Sequence, residues 1–351
     1  MIEERDPFFS FRIQEVIQET PDTKSFVLTP PAAGSVLCLS GQFLTFLFRN
    51  RKGEEVRRNY SVSSSPELGD PIRITVKRIP NGEFSRQLFD HAQPGDILKT
   101  IGASGFFTLP QGKEMPASLF FFAAGSGIAP VFSLIKTALH QDPLVKIVLI
   151  YSNPSESHTI FYQDLKSLQQ AYPDRFQIEF LFSDAVRIRN RRLGIDLLEK
   201  LLLQYQVYQN PGTLFYLCGP FEYMRMITIV LRNQGFPAAN IRKEIFEIHP
   251  PVQKTVPPDQ DRHTIHLLLR DQEISFDTQY PETILQTAKR LHISLPYSCE
   301  AGQCGTCAAT CLSGRVWMFK NEVLLEEEMA QGRVLTCTGF AVWGDVTIKY
   351  F

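Results

Sequence analysis

Four cysteines carry the strongest chemical signal in the chain. Cys299, Cys304 and Cys307 stand as C-x4-C-x2-C, and Cys337 follows after 29 intervening residues. This is the spacing by which four thiolates hold a [2Fe-2S] cluster. Such a site needs a tight loop around the cluster and a distant strand for the last ligand. Ala301, Gly302 and Gly305 suit that loop, because small residues let backbone N–H groups approach the sulfides. Two other readings compete. Cys304, Cys307 and Cys311 reproduce part of the two-cluster pattern C-x2-C-x2-C-x3-C-P, but its first step is missing and Leu312 stands in place of the Pro. A structural zinc site usually pairs two C-x2-C knuckles or adds histidines, and neither occurs. The [2Fe-2S] reading stands well above both, and Cys311 is then a free thiol.

Five of the seven cysteines fall in the last 53 residues, so this chemistry belongs to a C-terminal module. Seven cysteines in 351 residues are too few for a disulfide-stapled scaffold. With 36 basic and 37 acidic residues, the net charge of -1 argues against nucleic acid as a partner. The N-terminus has no apolar signal region, and the most apolar stretch, residues 119–131, is short and carries Gly125, Gly127 and Pro130. A spanning helix needs about 20 apolar residues. The expectation is a cytoplasmic protein with reduced thiols and no integral membrane segment.

The elements that position the cysteines fall into zones. At about 150 residues per domain the length suggests two or three domains. Residues 1–113 read as short strands split by Pro and Gly, with a helix over 84–91, which predicts an antiparallel β-barrel or sandwich. Residues 114–249 alternate strands (118–124, 145–151, 176–182, 213–218) with helices (131–140, 160–172, 195–203, 221–234). That alternation predicts an α/β domain with a parallel sheet. A Pro-rich linker occupies 250–262. Residues 263–351 return to strands, with a helix over 283–291 before the cysteines.

The run Tyr297-Ser298-Cys299-Glu300-Ala301-Gly302-Gln303-Cys304-Gly305-Thr306-Cys307 resembles the cluster loop of plant-type ferredoxins. The preceding 250 residues resemble the ferredoxin–NADP reductase superfamily. Together they are similar to three-module oxygenase reductases ordered flavin domain, nicotinamide domain, ferredoxin, those of phenylacetyl-CoA epoxidases and ketosteroid hydroxylases among them. The resemblance covers essentially the whole chain. It implies a multi-domain fold: an antiparallel β-barrel for FAD, an α/β parallel sheet for NAD(P), and an α+β β-grasp ferredoxin domain.

Site residues follow from the family's motifs. Arg58-Asn59-Tyr60-Ser61 matches R-x-Y-[ST], in which Arg58 pairs with a diphosphate, Tyr60 packs on the isoalloxazine and Ser61 bonds near flavin N5. Val76, Lys77, Gly82 and Ser85 belong to a second flavin segment, a strand, Gly turn and helix start. A diphosphate site argues for FAD over FMN. Gly125-Ser126-Gly127-Ile128-Ala129-Pro130 matches G-[ST]-G-I-[AT]-P, the pyrophosphate turn of NAD(P) binding. Cys218-Gly219-Pro220 resembles the C-G-P turn beside the nicotinamide. Glu244 and Phe246 resemble the E-x-F segment, with Phe246 near the flavin and Glu244 positioning or protonating. Cys218, Ser61 and Glu244 are the implied catalytic residues. Ser183, Arg189 and Arg191 are candidates for the nucleotide ribose, and the arginines tip the cofactor from NADH toward NADPH.

The implied reaction carries electrons from NAD(P)H through FAD and the cluster to a separate oxygenase, hydroxylase or desaturase. Residues 263–351 hold 7 basic and 10 acidic residues, net −3, and the acidic run Glu326-Glu327-Glu328 could face a basic partner. A self-sufficient NAD(P)H oxidase or quinone reductase, and a redox-responsive binding module, are the alternatives.

Overall fold

The computed structural model describes residues 8–30, 37–111, 115–184, 192–210, 212–247, 255–269 and 272–350. The chain divides into two units, Met1–Phe246 and Glu247–Phe351.

The first unit begins with six antiparallel strands: β1 (Phe9–Thr20), β2 (Thr23–Thr29), β3 (Phe43–Arg49), β4 (Glu55–Ser61), β5 (Ile72–Lys77) and β6 (Ile97–Ser104). Their order is β4-β3-β6-β1-β2-β5. The two edges meet where Val62 bridges Ile74 and the Ser63 N–H donates to the Arg73 carbonyl at 2.7 Å, so the sheet closes into a barrel. Alternate residues point inward. Phe11 and Ile13 of β1, Leu44 and Phe46 of β3, and Ile74 and Val76 of β5 share one core. Helix α1 (Glu83–His91) adds Phe84 and Leu88 to it.

A parallel sheet follows in the same unit, built from β7 (Ser118–Ala124), β8 (Lys146–Asn153), β9 (Phe176–Phe182), β10 (Leu214–Cys218) and β11 (Ile241–Glu244) in the order β11-β10-β7-β8-β9. Strand β7 shows why both faces must be covered. Leu119, Phe121 and Ala123 enter one core with α2 (Ile128–Gln141) and α3 (Tyr162–Ala171), while Phe120 and Phe122 enter the other with α4 (Ile195–Gln204) and α5 (Phe221–Asn233). A continuous apolar run is what a doubly covered strand requires.

Polar contacts tie the barrel to α2. The Gly41 N–H donates to Ser133 Oγ at 3.1 Å, Ser65 Oγ donates to the Ser133 carbonyl at 3.0 Å, and Ser40 and Thr137 share a 2.6 Å hydroxyl bond. A Cβ on Gly41 would lie 1.9 Å from the Phe107 carbonyl, so only glycine permits this approach. Lys136 pairs with Asp70, and the Arg73 guanidinium lies 4.8 Å from the Phe161 ring centre.

The second unit contains β12 (His263–Leu269), β13 (Gln272–Thr278), α6 (Ile284–Arg290), β14 (Ala308–Ser313), β15 (Val316–Met318), α7 (Glu326–Ala330), β16 (Arg333–Leu335), β17 (Gly339–Ala341) and β18 (Val346–Tyr350). Its main sheet runs β13-β12-β18-β14-β16, with β12 and β18 parallel, and β15 pairs with β17 separately. Sheet and α6 form the β-grasp. Thr283 and Gln286 cap α6 reciprocally. The linker expectation ended at 262, but Asp259 is already fastened to this unit by His263 Nε2 at 2.7 Å and by the Trp343 N–H. Among the described residues no helix is long and apolar enough to cross a membrane.

Candidate active site and cluster loop

The parallel sheet creates a crevice by its topology. From β7 the chain moves outward through β8 and β9, then returns to β10 on the other side of β7. At such a reversal the loops leaving adjacent strands diverge, which opens a ligand crevice at the carboxyl ends. The two loops there are Gly125-Ser126-Gly127 and Cys218-Gly219-Pro220. Where they leave the strands the two backbones are still so close that a Cβ on Gly127 would lie 2.1 Å from the Cys218 carbonyl oxygen, and one on Gly219 3.0 Å from Ala124 Cβ. Gly125 adopts φ +54° and faces open space, with its carbonyl accepting from Tyr151 Oη at 3.1 Å. Pro130, buried in the first turn of α2, needs no N–H there. A backbone cradle at a helix start, closed to side chains at Gly127 and Gly219 and open at Gly125, fits a pyrophosphate.

Three residues distant in sequence meet at this crevice. The register of β10 and β11 sets Cys218 opposite Glu244. Ser61, at the end of β4, donates its Oγ to Glu244 Oε1 at 2.9 Å. Glu244 is buried and its Oε2 has no hydrogen-bond partner. Burial pushes its carboxyl up to about 8 against the opposing Ser61 hydrogen bond, so it holds a proton at neutral pH. Burial, then the neighbouring Glu244 carboxyl, pushes the Cys218 thiol well above the usual thiol range. The group is therefore neutral, proton-bearing and buried, with Glu244 Oε2 unpaired.

The flavin candidates line the barrel side. The Arg58 guanidinium lies 5.3 Å from the Phe84 ring centre, and Nη1 donates to the Arg57 carbonyl at 2.8 Å. Among the described residues no carboxylate pairs with Arg58, which leaves its charge for a diphosphate. Tyr60 packs edge-on to Phe48 at 6.4 Å, and Phe48 stacks on Phe84 at 4.4 Å. Gly82 is demanded by space, because a Cβ would sit 2.3 Å from both Ile79 Cγ1 and Ser85 Oγ. Ser85 Oγ donates to the Gly82 carbonyl at 3.2 Å and accepts from the Ile79 N–H at 3.4 Å. Phe246 leaves 45 % of its surface exposed. Phe84, read from the sequence only as the start of a helix, lies beside the Arg58 guanidinium.

Two further flavin-segment residues turn their side chains to other partners. Val76 fills the barrel core with its side chain, and Lys77 pairs with Asp22 at 3.4 Å. Of the nucleotide candidates, Ser183 donates its N–H to the Asn153 carbonyl at 3.0 Å, just past β9. Arg189 and Arg191 lie outside the described residues.

In the second unit the four predicted thiols converge. Cys299 is in side-chain hydrogen-bond range of Cys304 and Cys337, and Cys337 also of Cys307. Hydrogen bonds from Cys304 and Cys337 hold the Cys299 thiol far below its usual range, while the contact with Cys299 pushes Cys304 and Cys337 up. Among the described residues no group of three or more donors is arranged to hold one metal ion. A two-iron cluster with two thiolates per iron would draw on these four sulfurs. The loop needs left-handed backbone at Glu300 (φ +53°), Gly302 (φ +72°) and Gly305 (φ +76°). A Cβ on Gly302 would lie 2.7 Å from the Lys320 carbonyl. Tyr350 Oη and Thr336 Oγ1 both donate to the Cys307 carbonyl, at 3.3 and 3.1 Å.

Residues 10–109 match the oxidoreductase FAD-binding domain, 121–228 the oxidoreductase NAD-binding domain, and 267–342 the 2Fe-2S iron-sulfur cluster binding domain. The ferredoxin reductase component of 3-ketosteroid-9-alpha-monooxygenase from Rhodococcus rhodochrous is 30% identical over 96% of this chain and 95% of its own. One component of the 1,2-phenylacetyl-CoA epoxidase from Escherichia coli K12 is 32% identical over 98% of both chains. The chain belongs to the reductase components of oxygenase systems. This reductase is an oxidoreductase of the ferredoxin-reductase type that uses NAD(P)H, FAD and a [2Fe-2S] cluster. Its fold matches phthalate dioxygenase reductase with TM-score 0.59 at 22% identity, covering 99% of both chains.

Proposed function

We propose that the reductase takes a hydride from NADPH at the Cys218–Ser61–Glu244 crevice and delivers single electrons through the Cys299, Cys304, Cys307 and Cys337 loop to a separate oxygenase. The convergence of those three buried residues at the reversal of strand order carries the reading. In it, residues 1–113 hold FAD, 114–249 hold the nucleotide and 263–351 hold the cluster.

When bound, FAD supplies the conversion of a hydride pair into single electrons, and the cluster supplies one-electron carriage. The protein's own work is positional. Arg58 and the turn at Gly82 and Ser85 would hold the flavin diphosphate, and Tyr60 and Phe246 would pack against its ring. Gly125, Gly127, Pro130, Gly219 and Pro220 admit the nucleotide backbone closely, and Cys218 walls off water beside the nicotinamide. Ser61 fixes the Glu244 carboxyl, which keeps a proton available at Oε2. The arginine-rich run that includes Arg189 and Arg191 supports NADPH over NADH. The net −3 of the ferredoxin module supports docking on a basic face of the oxygenase, steering encounter by charge.

Anaerobic titration tests the reading. NADPH should bleach both the flavin and the cluster bands, and kcat/KM should favour NADPH over NADH. A protein whose bands neither nucleotide bleaches would overturn it. The acceptor is then named by reconstitution: turnover of a di-iron or Rieske oxygenase supplied with this reductase, falling as ionic strength rises.

A further inference from the structure

One hydroxyl beside the cluster loop has no use within the protein. Thr338 follows the ligand Cys337 and is fully buried. Both of its backbone groups are satisfied: its N–H donates to the Leu335 carbonyl at 3.3 Å, and its carbonyl accepts from the Phe319 N–H at 3.1 Å. Its Oγ1 has no hydrogen-bond partner. The neighbouring threonines differ. Thr336 Oγ1 donates to the Cys307 carbonyl at 3.1 Å, and Thr306 Oγ1 lies 3.3 Å from Cys304 Sγ. Thr338 also abuts the loop between Cys299 and Cys304, since a Cβ on Gly302 would be 3.1 Å from its Cγ2.

A buried hydroxyl without a partner is costly, so such groups are ordinarily satisfied by something. A cluster held by Cys337, the preceding residue, and by the loop that Thr338 abuts would bring sulfur acceptors to this place. We propose that the Thr338 hydroxyl donates a hydrogen bond to a cluster sulfur and thereby raises the reduction potential of the cluster. The direction follows from charge: reduction adds negative charge to the sulfurs, and a donor stabilises that state more than the oxidised one. The inference rests on Cys299, Cys304, Cys307 and Cys337 being the ligands.

The test is an anaerobic redox titration of the full-length, cofactor-loaded reductase, followed by the EPR signal of the reduced cluster. In Thr338→Val the midpoint should fall, so that at a fixed potential the reduced-to-oxidised ratio drops about three- to tenfold. Thr338→Ser keeps the donor and should retain the wild-type midpoint. Thr338→Ala is a second hydroxyl-free variant, used if valine prevents cluster loading. Wild-type midpoints in the hydroxyl-free variants would overturn the proposal, as would an equal fall in Thr338→Ser. A wrong ligand assignment shows differently, as an EPR signal that survives Cys337→Ser.

Discussion

The cluster loop and the flavin–nicotinamide crevice solve one problem, the placing of redox groups, by opposite means. Three of the four thiols proposed for the cluster lie within residues 299–307, on a loop held by left-handed backbone at Glu300, Gly302 and Gly305. The crevice is assembled across the unit, with Ser61 and Glu244 bonded over 183 residues of sequence. A local loop writes its geometry into spacing. A crevice made by strand order leaves only scattered single residues, each of which alone also suits an ordinary turn or buried strand end.

The comparison breaks most visibly at Cys337. Cys337→Ser should abolish the cluster absorbance and EPR signal while NAD(P)H still bleaches the flavin. If flavin reduction is lost as well, the two centres are not independently built.

A smaller effect is expected at Gly127. Gly127→Ala puts a methyl 2.1 Å from the Cys218 carbonyl, and the loops must part. Misplacement of about 1 Å costs on the order of 10²-fold in rate, with about 1–3 kcal/mol of stability lost to overpacking. Stopped-flow hydride transfer and urea denaturation read the two separately. Cluster spectra should be untouched.

Glu244 sharpens the comparison through pH. Its carboxyl titrates at 4.5 ordinarily and at about 8 in the folded chain. Between those values the native chain binds the proton that the unfolded chain has released, so stability falls as pH rises through the window and is flat above it. Glu244→Gln should remove that slope and gain relative to wild type toward pH 8, measured by thermal unfolding of the flavin-free protein. A slope that persists in the variant would place its origin elsewhere.

The smallest effect lies on the cluster loop's rim. Lys289 pairs with Glu300 at 2.8 Å and lies over the Tyr297 ring, but both charges are well exposed. Lys289→Ala should cost only about 0.5 kcal/mol, and less at high salt. A large loss of cluster retention would show that the loop needs clamping from α6.

Much of the fold was readable in the sequence. The strand expected over 118–124 is β7, because an unbroken apolar run bounded by a Gly turn suits a strand buried on both faces. Helix α2 was expected from Val131 but begins at Ile128, since proline is tolerated in a first turn. Helix α3 was expected from Ile160 but begins at Tyr162, because Phe161 turns left-handed (φ +59°) to stack on Phe132. Val76 shows what the structure adds to a motif. Alternation along β5 commits its side chain to the core, so only its backbone faces outward, which a motif read as a string of letters does not reveal.

By itself, then, the sequence determined the cofactor classes and the module order, and it singled out four thiols for the cluster, because these rest on local spacing and on turns that demand glycine. Only the tertiary structure decided that Ser61, Cys218 and Glu244 are buried together, that Glu244 keeps its proton there, and that Thr338 keeps a hydroxyl with no protein partner. Those facts depend on strand order, register and burial. They are set by contacts between residues far apart in the chain, and spacing along the chain carries no record of them.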